Sequence, residues 1–186
     1  MPTHVALLRG INVGKGNRVA MADLRDAVAS LGHTDVKTYI NSGNVVFTSG
    51  EPDPAVVAEA LEATIAEALG LTLTVVVLTR AELAVAIENN PYPDEPDPKK
   101  VHAVFRSSDV DDDDVAALAA AQERAAAKGS RDTGTVRGRV LYLHLPDGMG
   151  RSELAVQLGK LPRGSDGGGT ARNWATVRKL AAMLDA

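Results

Sequence analysis

The chain has no cysteine in 186 residues, which removes disulfides, thiolate nucleophiles and thiolate-bound metals from consideration. Aromatic residues reach only 3%. Stacking recognition of RNA or single-stranded DNA requires aromatics on exposed strands. Val5-Ala6-Leu7-Leu8 has none and Val45-Val46-Phe47 has one, which argues against nucleic acid as the partner. No apolar run can span a bilayer, since the longest, Leu71 to Leu78, has the length of a strand. Met1-Pro2-Thr3-His4 has no basic segment leading into an apolar core, so neither a secretory signal nor a membrane partner is expected. These features together predict a cytoplasmic protein.

What is present fits a globular protein: 45% hydrophobic and 24% charged residues, in a chain long enough for one domain or two small ones. The net charge of −4 is unevenly spread. Residues 1–90 hold 6 Lys/Arg against 10 Asp/Glu, whereas 124–179 hold 11 against 4. A local basic stretch in a mildly acidic chain points to a local anion partner rather than general adhesion to polyanions.

The apolar periodicity predicts strands at Val5–Leu8, Val36–Ile40, Val45–Thr48 and Leu71–Leu78, and helices at Met21–Leu31 and Pro54–Leu69. Gly32 stops the first helix; Asp53 caps the second and Gly70 closes it. The order is β-α-β-β-α-β, the ferredoxin-like arrangement. Thr79-Arg80-Ala81-Glu82 is a capping box opening a helix to about Glu88, and the proline-rich run Asn90–Pro98 reads as a linker.

The pattern then recurs. Strands are expected at Val101–Arg106, Thr133–Val136 and Val140–Leu145, and helices at Val115–Ala127, Ser152–Leu158 and Asn173–Leu184. A Gly-rich loop, Pro162–Gly169, precedes the last helix. The expected class is α+β, with two ferredoxin-like-related α/β-sandwich halves, the second ending in an extra helix in place of a final strand. The expected divisions are 1–80, a helix and linker at 81–100, and 101–186.

Leu7-Leu8-Arg9-Gly10-Ile11-Asn12-Val13-Gly14-Lys15-Gly16-Asn17-Arg18 is the strongest candidate for a site. Glycine frees backbone amides, and with adjacent cations such amides receive anions. The spacing fits neither standard phosphate motif. Gly10 and Gly14-Lys15 enclose three residues where a Walker A loop has four, and Val19 stands where a dinucleotide fingerprint needs a small residue. In the expected topology strands one and two end on the same side, so this loop and the turn Asn41-Ser42-Gly43-Asn44 should converge. Arg9, Asn12, Lys15 and Asn17, with Ser42 and Asn44, are the predicted ligand-binding residues.

Two further patches are weaker candidates. In Asp147-Gly148-Met149-Gly150-Arg151-Ser152, a helix N-terminus at Ser152 lies beside Arg151. In Thr170–Lys179, Trp174, Val177, Ala181 and Leu184 form a buried stripe, while Arg172, Thr176 and Lys179 fall on another face, with Asn173 beside them. These residues would supply a second anion contact or close over the first. The acidic run Asp109–Asp114 lacks the glycine and glutamate of a calcium loop and reads as a helix start. His4, His33, His102 and His144 have no ligand spacing and read as structural or surface residues. No metal or cofactor is expected.

Five separated motifs carry a family resemblance: Leu8–Gly14, Ser42–Phe47, Asn90-Pro91-Tyr92, Pro146–Ser152 and Arg172–Val177. Together they resemble the bacterial proteins of domain-of-unknown-function family 1697, over residues 3 to 184. Members often read Gly-Gly-Lys-Asn where this chain has Gly14-Lys15-Gly16-Asn17. The resemblance implies an α+β fold with ferredoxin-like parts and a cytosolic bacterial setting, and it implies no agreed activity. The expectation from the sequence is a protein that binds a small phosphate- or carboxylate-bearing ligand, a nucleotide being one such. The alternatives are a metal-assisted phosphoryl- or nucleotidyl-transfer enzyme, and an RNA/DNA-binding or structural interaction module. Oligomeric state is not legible.

Overall fold

The computed structural model describes residues 1–14, 16–161 and 169–186; Lys15 and the segment 162–168 lie outside the described residues. The chain divides into two units, Met1–Ile87 with Arg178–Ala186, and Glu88–Val177.

The first unit runs β1 (His4–Leu8), α1 (Met21–Ser30), β2 (Thr34–Tyr39), β3 (Asn44–Thr48), α2 (Pro54–Leu69), β4 (Val75–Thr79) and α3 (Arg80–Glu88). Its strands form an antiparallel sheet in the order β2-β3-β1-β4. Alternation explains the packing: Ala6 and Leu8 of β1, Val45 and Phe47 of β3, and Val75 and Val77 of β4 share one core cluster. Leu24 and Val28 of α1 join it, as do Val57, Leu61 and Ile65 of α2, at helical spacing. Each such large aliphatic side chain contributes about 1.5–3 kcal/mol by leaving water. The ends of α2 follow their local signals. Asp53 accepts from the Ala55 N–H at 2.9 Å, Pro54 occupies the first turn, and Gly70 closes the helix at φ 65°. The predicted capping box also forms, with Thr79 N–H donating to Glu82 at 2.8 Å and Glu82 N–H to Thr79 Oγ1 at 3.1 Å.

The second unit runs β5 (Val101–Phe105), α4 (Asp112–Ala126), β6 (Thr133–Arg137), β7 (Val140–His144), α5 (Glu153–Leu158) and β8 (Thr170–Asn173), followed by α6 (Trp174–Leu184). The sheet order is β6-β7-β5-β8. Leu118, Ala121 and Ala125 of α4 pack with Leu143, Leu145 and Leu154. Trp174 and Tyr142 approach with ring centroids 6.3 Å apart.

The α+β, two-half reading holds, with one addition. The second half does carry a fourth strand, β8, paired antiparallel with β5 from Phe105↔Thr170 to His102↔Asn173. Two smaller differences concern strand ends: β4 begins at Val75, four residues into the apolar run, and β2 ends at Tyr39 because Ile40 turns out of it. Ile40 has φ 49°. A β-branched side chain in that left-handed region costs about 1–2 kcal/mol. Among the described residues, no helix is long and apolar enough to cross a membrane.

Candidate functional site

Strand β1 lies between β3 and β4, so its C-terminal exit meets the segment joining β2 to β3. The two predicted loops do converge. Leu8 N–H donates to Gly43 O at 2.8 Å, and the Asn12 side-chain amide donates to Asn41 O at 3.0 Å across 29 residues of sequence. The approach explains Gly43: a Cβ there would stand 2.7 Å from Leu8 Cβ and 2.8 Å from Ile11 Cδ1, at φ 70°.

The convergence sorts the predicted residues. Asn12 (φ 54°) acts as a staple: its Nδ2 also donates to Val19 O at 2.9 Å, and its Oδ1 accepts from Val19 N–H at 3.0 Å. Both hydrogens of its amide are therefore engaged within the fold. Asn44 is fully buried, with Nδ2 donating to Tyr39 O at 3.1 Å. These two residues build the loops. Arg9, Asn17 and Ser42 face outward, Arg9 half-buried and the other two exposed. Among the described residues the Arg9 side chain has no hydrogen bond or ion pair. The N–H groups of Gly10, Ile11, Val13, Gly14 and Gly16 likewise bond to no described residue, whereas Asn12 N–H donates to Asn17 O at 3.0 Å. Arg18 Nη2 donates to Gly14 O at 3.2 Å. Six residues of the two segments are left-handed: Gly10, Asn12, Gly14, Asn17, Ile40 and Gly43. Successive amides alternating with left-handed residues form concavities that suit anions. Lys15 lies outside the described residues.

The second patch is differently arranged. Ser152 is buried and caps α5, accepting from Ala155 N–H at 2.9 Å, while its hydroxyl donates to Asp132 Oδ2 at 2.9 Å. Leu154 N–H also donates to Asp132 Oδ2, at 3.2 Å. The helix terminus thus already holds a carboxylate of the chain itself. Asp147 pairs with Arg131 at 2.9 Å, and Arg151 is exposed.

The third patch does not form the helical face expected of it. Arg172 lies on β8 rather than on α6, and it is only 9% exposed. Its Nη1 donates to Thr170 Oγ1 at 2.7 Å and Ala171 O at 2.8 Å, and burial lowers its pKa to about 10. Thr176 is buried, its N–H donating to Asn173 Oδ1 at 2.9 Å, so Asn173 serves as the cap of α6. Lys179 is exposed. The buried stripe runs through Trp174, Val177, Leu180 and Leu184, Leu180 taking the place expected for Ala181.

The sequence reading missed two groups. One is Glu95, in the proline-rich run, bonded to His144 Nε2 at 2.6 Å, with the Tyr92 ring stacked on His144 at 5.3 Å. The His144 contact, then the Asp97 N–H, lower the Glu95 pKa. Only the proximity of Tyr92 and Glu95 in one run hinted at it. The other is His4 and His33, whose ring centroids lie 5.9 and 4.8 Å from that of Phe47 and whose Nε2 atoms are buried without a hydrogen-bond partner among the described residues. Burial lowers both pKa values. An open concavity of about 520 Å³ near His4 is lined by Thr3, Glu51 and Arg80. Arg80 is engaged there, donating to Pro2 O at 3.0 Å and lying 3.8 Å from Asp185. That concavity sits at the opposite end of β1 from the two loops. Among the described residues no cluster of three His, Asp or Glu could hold a metal ion.

Comparison with known proteins agrees with this architecture and adds no chemistry. A solved structure described as that of conserved bacterial protein SP0830 from Streptococcus pneumoniae matches with a TM-score of 0.73 and 27% identity, covering 98% of each chain. Among curated proteins no relative matches. The model of the family described as protein of unknown function, DUF1697, matches residues 1–142, a span that includes both converging loops. The chain belongs to the DUF1697 family.

Proposed function

We propose that this protein binds a small anionic ligand, phosphate- or carboxylate-bearing, where the β1 exit loop meets the turn before β3. Arg9 supplies the charge, the N–H groups of Gly10, Ile11, Val13, Gly14 and Gly16 supply a directed cradle, and Asn17 and Ser42 supply neutral polar contacts. The observation that carries this reading is Arg9: a half-buried guanidinium next to unengaged backbone amides, both without a partner among the described residues. A cation so placed is desolvated in part and gains from an anion more than an exposed lysine would. The sequence from Arg9 to Arg18 adds two further cations and no carboxylate. The second and third patches are left out of the site, because Asp132 fills one and Arg172, Asn173 and Thr176 are engaged within the other.

Thermal unfolding in the presence of phosphate, pyrophosphate, sulfate and citrate tests the reading. A ligand at one hundred times its dissociation constant raises stability by about 2.7 kcal/mol. The rise is expected for at least one of these anions and is expected to vanish in Arg9→Gln. No shift with any of them would overturn the proposal.

A further inference from the structure

At the start of β1 the first unit carries a second recess, the open concavity of about 520 Å³ beside His4. Because β1 lies between β3 and β4, the segments at the ends of those two strands form opposite walls, about 10 Å apart at two strand spacings. Ser49 to Pro52, after β3, make one wall, and Thr79 to Ala81, where β4 passes into α3, make the other. Thr3 ties the walls together: its Oγ1 accepts from Ser49 N–H at 3.0 Å and its carbonyl from Arg80 N–H at 2.9 Å. Each wall sends a charged side chain towards β1. Arg80 Nη2 donates to Pro2 O at 3.0 Å. On the other side, burial and then the His33 charge lower the His4 pKa, and the charges of Glu82 and Glu51 oppose that shift, so both carboxylates stand near the His4 ring. Glu82 is already held by Thr79, whose N–H and hydroxyl donate to its Oε2 at 2.8 and 3.0 Å. Glu51 Oε1 accepts from Asp53 N–H at 2.9 Å, whereas its Oε2 bonds to no described residue. Arg80 reaches Asp185 only at 3.8 Å, and its two contacts use part of a fork of five N–H donors. Glu51 and Arg80 thus line one concavity and, among the described residues, form no ion pair with each other.

We propose that this concavity binds a free α-amino acid, its ammonium at Glu51 and its carboxylate at Arg80. Opposite charges that face one recess without meeting favour a ligand that carries both, since each then gains a charge-assisted hydrogen bond. A simple anion would face like charge at Glu51, and a simple cation would face it at Arg80. The span fits as well. Two side chains reaching inward from walls about 10 Å apart leave room for a ligand whose two charges flank a single carbon. His4, kept neutral at pH 7 by its burial, adds no positive charge to repel the ammonium. Pro2, Pro52 and Ala81 give the recess apolar surface, which favours an apolar side chain on the ligand. The site stands at the opposite end of β1 from Arg9 and does not depend on the anion reading.

Calorimetric titration of the full chain with L-leucine, L-leucinamide and N-acetyl-L-leucine tests this. Leucinamide keeps the ammonium and lacks the carboxylate, and N-acetyl-leucine does the reverse. Leucine is expected to bind at least about tenfold more tightly than either, the worth of one charge-assisted hydrogen bond. Glu51→Gln keeps an oxygen for Asp53 N–H, so its melting temperature should stay close to that of the parent. Its affinity for leucine should fall by about tenfold. Failure of leucine, valine and methionine all to bind would overturn the inference, as would blocked derivatives binding as tightly as leucine. Glu51→Gln holding leucine as the parent does would overturn it too. Tighter binding of leucyl-leucine than of leucine would overturn the free amino acid in favour of a peptide. None of these outcomes bears on the anion reading.

Discussion

An arginine directly follows the first strand of each unit, an inner strand of its sheet, Arg9 after β1 and Arg106 after β5, and the two have opposite fates. Arg106 Nη1 lies 2.7 Å from Asp114 Oδ2. Asp114 belongs to the capping box of α4, where its N–H donates to Asp111 Oδ1 at 2.8 Å and its carboxylate accepts from Asp111 N–H at 3.3 Å. Arg139 Nη1, from the hairpin turn, donates to Ser107 O at 3.2 Å across the same exit. The second unit thus neutralises its own exit loop with the acidic run Asp109–Asp114. In the first unit α1 starts after Ala20 with no capping side chain, and among the described residues no carboxylate reaches Arg9. Two exit loops built on the same plan differ in whether the charge is answered from within. The unanswered one is where an external anion has most to gain.

The largest effect expected from testing this comparison comes from glycine. Gly43→Ala should cost about 3 kcal/mol, since the new Cβ meets Leu8 and Ile11 as well as an unfavourable φ. Gly138, in the matching hairpin turn of the second unit, has φ 59° with open space around it, so Gly138→Ala should cost only about 1 kcal/mol. Equal losses in urea unfolding would show that the first junction is no tighter than the second.

Arg106→Gln comes next. With Arg106 13% and Asp114 31% exposed, the pair lies between surface and buried ion pairs, and its loss should cost about 1–2 kcal/mol, less at high salt. Arg9→Gln should change stability by less than about 0.5 kcal/mol and yet remove the anion-induced rise in melting temperature. A stability loss at Arg9 as large as at Arg106 would mean that Arg9 has a partner in solution.

A pH series sharpens the contrast further. Burial lowers the pKa of His4 and His33 in the first unit and of His102 in the second, each below the ordinary 6.5. Around His4, the His33 charge lowers the pKa further, and Glu82 and Glu51 oppose the shift. The unfolded chain therefore takes up protons first as pH falls. The contribution of these residues is fully present above about pH 6.5 and is lost as pH drops below it towards the folded-state values. The decline should be shallower in His33→Gln than in the parent, and an unchanged slope would remove His33 from the account. The smallest effect is expected at Arg151 and Lys179: replacing either by Gln should leave anion binding within about twofold, as surface charges outside the site are screened.

Much of the architecture was legible because its signals are local. Asp53-Pro54, Gly70 and Thr79-Glu82 act on backbone groups within four residues of themselves, so their structural effect follows from spacing alone. The strand β8 was not legible, and Thr170-Ala171-Arg172-Asn173 shows why. Its inward residues are Thr170 and Arg172 while Ala171 is exposed, the reverse of the apolar alternation that reveals a strand. Only pairing with β5, some 65 residues earlier, makes it one. The site was partly legible for the same reasons. Glycines and cations between Arg9 and Arg18 are visible in the sequence, and the expected topology brings the turn beside them. Nothing in the letters says that Asn12 and Asn44 are staples while Arg9 is not.

The amino-acid order therefore dictated the periodic elements, their caps and the cation-rich, glycine-rich composition of the β1 exit, because these depend on each residue and its near neighbours. Which polar groups find a partner was settled at longer range. Asp132 fills the start of α5, Asp114 answers Arg106, and Asn12 reaches Asn41. Such satisfaction depends on what sheet pairing carries to within about 3 Å, a distance over which hydrogen bonds act and sequence spacing gives no guidance. Arg9 emerged as a candidate anion contact from the composition of its loop, and as the strongest one because the fold brings it no partner among the described residues.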